Sequence, residues 1–195
     1  MITIPGIAVG PGGKALASLG DEPIRPPTQI DVFVDYMCPY CRRFERDNGA
    51  EIQELVDRNV TGLVMHPVAI LDRMSRGGLY STRSAAAAYA VAAGSPEHFG
   101  AFNQALFTHQ PREGSSGLSE AELAELAQQI GIERAVTRTF ADNSFLETAT
   151  RNTQAAIARG LQGTPTVLLS GRHQAPVLWE GERSLSDALS SMAAS

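Results

Sequence analysis

Cysteine is scarce in this chain, with two residues, Cys38 and Cys41, among 195. So small an inventory excludes a fold stapled by several disulfides, although it leaves the redox compartment open. Tryptophan occurs once, aromatic residues make up 6%, and the formal net charge is -5. Without a block of basic residues or an RNA-binding aromatic motif, neither nucleic acid nor an anionic membrane is expected as a partner. No apolar run approaches the ~20 residues that a membrane-crossing helix needs. The N-terminus also lacks the basic-then-apolar plan of a secretion signal, so an exported form would require a leader or anchor ahead of Met1. The four histidines, His66, His98, His109 and His173, include no pair at H-x3-5-H spacing. A zinc site built on the two cysteines would therefore lack its other ligands, and no metal or cofactor is expected.

What is present suits one soluble globular core, with 43% hydrophobic and 19% charged residues. The two cysteines stand in Cys38-Pro39-Tyr40-Cys41. Upstream, Ile30, Val32 and Val34 alternate within Thr28 to Tyr36, as in a buried strand. Downstream, Phe44, Ile52, Leu55 and Val56 fall on one face of a helix reaching Arg58. The CxxC thus lies where a strand turns into a helix, and Pro39 suits the first helical position. Unpaired N–H groups and the helix dipole there favour a negative Cys38 sulfur, while Cys41, one turn further in, is expected to keep a higher pKa and react second. A structural disulfide explains this pair poorly, because cross-link stabilisation grows with loop length and this loop is nearly as short as possible.

Along the chain, Ile2, Ile4, Ile7 and Val9 predict a short edge strand, and Lys14 to Leu19 a second one. Asn48 and Gly49 predict a kink in the helix after the CxxC. Gly62 to Ile70 reads as a strand that completes a right-handed βαβ unit with parallel strands. From about Met74 to Gly160 helical patterns take over, including an Ala-rich helix from Tyr80 and a Ser119/Glu122 capping box ahead of Leu123, Leu126 and Ile130. Strand character returns at Thr164 to Leu169, Val177 to Trp179 pairs back as a hairpin, and Ser184 caps a last helix. The order is α/β with a helical lobe: residues 1–73 and 161–195 form one unit and 74–160 an insertion.

That order, together with CPYC and the segment Gly163-Thr164-Pro165-Thr166, resembles the thioredoxin superfamily and specifically its DsbA-like branch. The resemblance implies a thioredoxin-like fold, a cis Thr164-Pro165 bond whose loop lies against the Cys38 sulfur, and a thiol:disulfide oxidoreductase acting on protein thiols through Cys38 and Cys41. It further implies that Pro39, Tyr40, Thr164 and Pro165 line the substrate site, with Tyr36 and Met37 as further rim candidates. Unfolded or reduced client proteins are the implied partners, with a DsbB/VKOR-like membrane partner for re-oxidation if the chain is exported. A monomer outside the cytoplasm is the expectation, and a cytoplasmic protein the alternative. In one respect the sequence departs from the pattern: the buried acid that thioredoxins carry six residues before the first cysteine is Val32 here. Strand alternation puts Asp31 and Asp35 on the face opposite Val32, where Asp35 reads as a solvated charge at a strand end, and water is left to handle the Cys41 proton.

His66, ahead of Pro67, reads as a satisfied core or edge residue, His98 and His109 as surface residues, and Trp179 as packing in the hairpin. Two other functions fit the same residues. One is a cytosolic glutaredoxin- or thioredoxin-like reductase; the other is a redox-inert binding module of the same fold.

Overall fold

A computed structural model describes residues 5–17, 26–171, 174–181 and 184–193. Ile2, Ile4, Ser18, Leu19 and His173 lie outside the described residues. The alternation of Ile30, Val32 and Val34 does form a strand, β3 (Thr28–Val34), and the strand expected at Gly62 forms β4 (Thr61–Pro67). The two run parallel, with Thr28 opposite Thr61 and Val34 opposite Pro67. Between them lies α1 (Pro39–Asp57), so the βαβ unit is present. Two short N-terminal strands, β1 (Ile7–Val9) and β2 (Ala15–Leu16), pair antiparallel.

After β4 the described chain is helical until the sheet resumes. These helices are α2 (Tyr80–Gly94), α3 (Phe99–Thr108), α4 (Glu120–Gln129), α5 (Arg134–Thr137) and α6 (Asn143–Ala158). The expected capping box is complete: Glu122 N–H donates to Ser119 Oγ and the Ser119 N–H donates to Glu122 Oε2. The hairpin β5 (Thr166–Gly171) and β6 (Val177–Leu178) then precedes α7 (Leu185–Ala193), where Asp187 N–H donates to the Ser184 cap.

The six strands follow the order β2-β1-β4-β3-β5-β6. On one face of the sheet Ile30, Val32 and Val34 join a core that includes Phe44, Ile52 and Leu55 of α1 and Leu185 and Leu189 of α7. That same core continues without a break into Phe99, Phe102 and Leu106 of α3 and Leu123 of α4. On the other face Phe33 packs with Val68 and with Ala156 of α6.

Two expectations are corrected. The strand at Ile7 is interior rather than an edge, since β1 pairs with β4 on one side and β2 on the other; Pro5 lies ahead of it and takes no place in the ladder. The kink at Asn48 and Gly49 is replaced by an unbroken helix. There the Asn48 side chain donates to the Phe44 carbonyl, and the Glu45 carboxylate lies 3.0 Å from where a Cβ at residue 49 would sit. Glycine makes room for that carboxylate rather than bending the helix.

Close approach also requires glycine where the N-terminal turn meets α3. A Cβ on Gly100 would lie 2.9 Å from the Gly13 Cα, and the obstacle is backbone rather than a movable side chain. Alanine ordinarily favours a helix over glycine by up to about 1 kcal/mol. Here overpacking outweighs that gain, so Gly100→Ala is expected to lower stability by about 1–2 kcal/mol. Urea unfolding measures it, and an unchanged or raised midpoint would contradict the contact.

Candidate active site

Cys38 is the N-cap of α1 and Pro39 its first helical residue. The strand ends at Val34, and Asp35 to Met37 make the turn between, closed by the Cys38 N–H donating to the Asp35 carbonyl at 3.0 Å. The Cys38 carbonyl accepts from the N–H groups of Cys41 at 3.1 Å and Arg42 at 3.2 Å, which starts the helix. Its sulfur is therefore held over the first turn, where backbone donors are unspent.

Both cysteines are free thiols and both are buried, Cys38 with 4% exposure and Cys41 with none. Their acidities are pushed apart. A hydrogen bond from the Cys41 thiol, followed by contacts to Thr164 and to the N–H groups of Cys41 and Tyr40, outweighs burial and brings Cys38 down to about 6. Burial, then the bond it donates to Cys38 and the proximity of that anion, pushes the Cys41 thiol well above the usual range. A single proton shared unequally by two sulfurs is the state this geometry favours at neutral pH.

The Thr164-Pro165 bond is cis, and the loop it belongs to meets the cysteines: protonated Cys38 Sγ donates to the Thr164 carbonyl at 3.2 Å. The Thr164 hydroxyl, buried without another partner among the described residues, favours the anionic form of each sulfur. Tyr40 stands 70% exposed beside the recessed sulfur. The site thus brings together Cys38, Pro39, Tyr40, Cys41, Thr164 and Pro165.

Tyr36 and Met37 are not rim residues, because both side chains are fully buried. The turn carries them inward: the Tyr36 hydroxyl donates to Asn103 Oδ1 on α3, and Tyr36 packs on Phe107. A cleft of about 620 Å3 does open nearby, between α1 and α3, lined by Val32, Phe44, Glu45, Phe99 and Phe107 among others. None of the cysteines, Thr164 or Pro165 lines it.

The reading of Asp35 as a solvated charge is also overturned. Its side chain has no exposure and accepts from three donors: Met37 N–H at 2.9 Å, Leu71 N–H at 2.9 Å and Ser81 Oγ at 2.7 Å. Burial, opposed by these donors, lifts its carboxyl to about 6. Alternation misplaced it because the strand stops at Val34, and a residue in the following turn is no longer bound to the strand's two faces. The same alternation succeeds for Asp31, whose carboxylate lies 2.8 Å from His66 Nε2 across the parallel pair; His66 is buried there and stacks on Phe33, away from the cysteines. His98, half-buried, bonds Ser95, while exposed His109 meets the Ala105 carbonyl. Trp179 packs edge-on against Phe44.

Sequence reasoning missed Gln110 altogether. Its side-chain amide donates to the carbonyls of Tyr36 at 3.1 Å and Cys38 at 2.9 Å, joining the end of α3 to the turn that carries the cysteines. No periodicity or motif marks a lone glutamine in a loop, and only the three-dimensional return of the chain gives it meaning. Among the described residues no cluster of three histidine, cysteine or acidic side chains is arranged to hold a metal ion. No helix among them is long and apolar enough to cross a membrane.

A thioredoxin family model matches residues 23–187. Among curated proteins, the serine/threonine-protein kinase PknE of Mycobacterium tuberculosis is 35% identical over 149 residues, covering 72% of this chain and 26% of the kinase. The chain therefore spans about a quarter of the length of that relative. Among solved structures, oxidised DsbA of Mycobacterium tuberculosis superposes with a TM-score of 0.78 at 30% identity, over 98% of this chain and 94% of the other. DsbG of the same organism superposes with a TM-score of 0.72 at 29% identity, over 97% and 94%. With the cysteine pair at the strand-to-helix junction and the prolyl loop against it, the chain belongs to the thioredoxin family as a DsbA-like member.

Proposed function

We propose that this thiol:disulfide oxidoreductase works in the oxidising direction, introducing disulfides into client proteins through Cys38 and Cys41. The observation that supports it most is the unequal pair of sulfurs, one favoured as an anion and one held as a thiol. A thiolate stabilised only in the reduced protein makes the disulfide easier to reduce, hence a stronger oxidant; for a two-electron couple 30 mV corresponds to about 1.4 kcal/mol.

In this reading a client thiolate attacks Cys38 Sγ of the Cys38–Cys41 disulfide, and the S–S bond breaks with its electron pair passing to Cys41. Cys41 takes a proton as it leaves, as its raised pKa requires. The client's second thiolate then attacks the client sulfur of the mixed disulfide and expels Cys38 as a thiolate, a good leaving group because of its low pKa. The client loses two electrons and two protons, and the enzyme gains both electrons. Pro39 and Tyr40 border the sulfur, while Thr164 and Pro165 offer backbone to an extended client segment. Residues 74–160 act as an inserted helical unit on the units 1–73 and 161–195; the Gln110 contacts support its role as one wall of the site. We place the protein outside the cytoplasm as a monomer serving reduced or unfolded clients and re-oxidised by a DsbB/VKOR-like membrane partner, a placement supported by its likeness to DsbA.

The oxidised protein is expected to catalyse disulfide formation in a reduced client, and Cys38→Ser to abolish it. Its reduction potential is expected above the roughly -270 mV of thioredoxin. A potential at or below that value would replace this reading with a reductase, and client binding without any thiol exchange would replace it with a binding module.

The pH dependence follows from the acidities. Alkylation of Cys38 in the reduced protein is expected to rise with a midpoint near pH 6. Because the Cys41 hydrogen bond is the largest contribution, Cys41→Ala is expected to move that midpoint upward. The Cys38 pKa is depressed below its unfolded value of 9.0, so its stabilisation of the reduced fold is present above about pH 9 and is lost as pH falls through about 6. Chemical denaturation of the reduced protein across that window checks the sign.

A further inference from the structure

Asp35 touches both cysteines through its backbone and the structure around them through its carboxylate. Its carbonyl accepts the Cys38 N–H, and its own N–H lies against the Cys41 sulfur. The carboxylate reaches across to the Leu71 N–H beyond β4 and to Ser81 on α2, so three segments distant in sequence meet on one buried acid. The titratable groups around it are few. From the start of α1 come Cys38 and Cys41; its own turn supplies Tyr36. α2 supplies Tyr80, whose buried hydroxyl has no hydrogen-bond partner among the described residues. Asp72, next to Leu71, is already bound by the N–H and hydroxyl of Thr82. Among the described residues, the leading influences on the Asp35 carboxyl are burial, the N–H groups of Met37 and Leu71, the Ser81 hydroxyl and the Cys38 sulfur. An anion at Cys38 disfavours an anion at Asp35, so the two share the proton balance of the site.

We propose that Asp35 is a positioning residue of the redox centre, fixing the turn that presents Cys38 and taking up part of a proton that the client gives up as it reduces the Cys38–Cys41 disulfide. The inference rests on the redox reading above. A client dithiol that becomes a disulfide gives up two electrons and two protons. Both electrons go into the broken S–S bond, and one proton goes to Cys41. The second proton is divided between solvent and the Asp35 carboxylate, which binds it more tightly once the Cys38 anion has formed. In the oxidised protein that anion is absent, and Asp35 gives the proton back to solvent more readily.

The test compares the wild type with Asp35→Asn and Ser81→Ala. The readouts are the pH profile of Cys38 alkylation and the pH dependence of the redox equilibrium with a dithiol buffer, from about pH 5 to about pH 8. The wild type is expected to show a Cys38 titration broader than one site. Asp35→Asn is expected to narrow it to a single site, lower its midpoint by removing the competing anion, and reduce the proton uptake per two electrons towards one. Ser81→Ala removes one donor to the carboxylate and leaves the acid in place, so it is expected to keep the broad profile and shift its upper inflection to higher pH. A merely structural role would weaken the helix start and raise the Cys38 midpoint in Asp35→Asn, which would overturn the proposal. So would a wild-type profile and proton count retained in Asp35→Asn, or, if that variant fails to fold, an unchanged profile in Ser81→Ala. A wild type that exchanges no disulfide at any pH would sink the redox reading instead, and the alkylation profiles would still report whether Asp35 and Cys38 are coupled.

Discussion

Everything at the site depends on the desolvation of two sulfurs at the start of one helix. Burial alone raises the pKa of a thiol, because it penalises the anion, and it acts on both residues. What separates them is direction. Cys38 sits off the end of α1 and collects donors: the Cys41 thiol, the first N–H groups of the helix and the Thr164 hydroxyl. Cys41 lies one turn inside, keeps its proton while donating a hydrogen bond to that arrangement, and receives less in return. The asymmetry follows first from the hydrogen bond between the two sulfurs, with the N–H groups at the start of the helix adding to it, and the strand-to-helix junction sets both.

Such an arrangement holds only if the turn from Asp35 to Met37 is rigid, and the helices and loops following β4 hold it through Leu71, Ser81, Asn103 and Gln110. Gln110 secures the carbonyls of Tyr36 and Cys38. Ser81 and the Leu71 N–H secure the Asp35 carboxylate. Asn103 accepts from Tyr36 and donates to Glu45, whose carboxyl burial holds above its ordinary range. Each of these bonds is buried or partly so, where a lost partner costs about 1–3 kcal/mol. The helices thus do more than cover the sheet, since they complete the hydrogen bonding of a turn that the sheet alone leaves unsatisfied.

Much of this could be read from the sequence, and the boundary of what could is informative. Period-two and period-3.6 patterns placed β3, β4, α1 and the helices after them, and the capping box at Ser119 was found in place, because these signals come from neighbours along the chain. The position of β1 inside the sheet was not legible, since a three-residue strand carries no information about which partner lies on its far side. The same holds for the buried fate of Asp35, Tyr36 and Met37. They lie in a turn with no periodicity, and their hydrogen-bond partners come from Leu71, Ser81, Asn103 and Gln110, between 36 and 74 residues away. Gly49 misled for a related reason: its effect on an isolated helix is set by propensity, but here it is set by the Glu45 side chain above it.

Tyr40 stands out into solvent, while Cys38, two residues before it, is almost wholly recessed. A cysteine embedded in a finished protein surface has little means of reaching a sulfur with 4% exposure. A thiol on a narrow, pliable stretch of chain meets less obstruction there. Under the proposed function, so recessed a sulfur favours clients that have not yet folded.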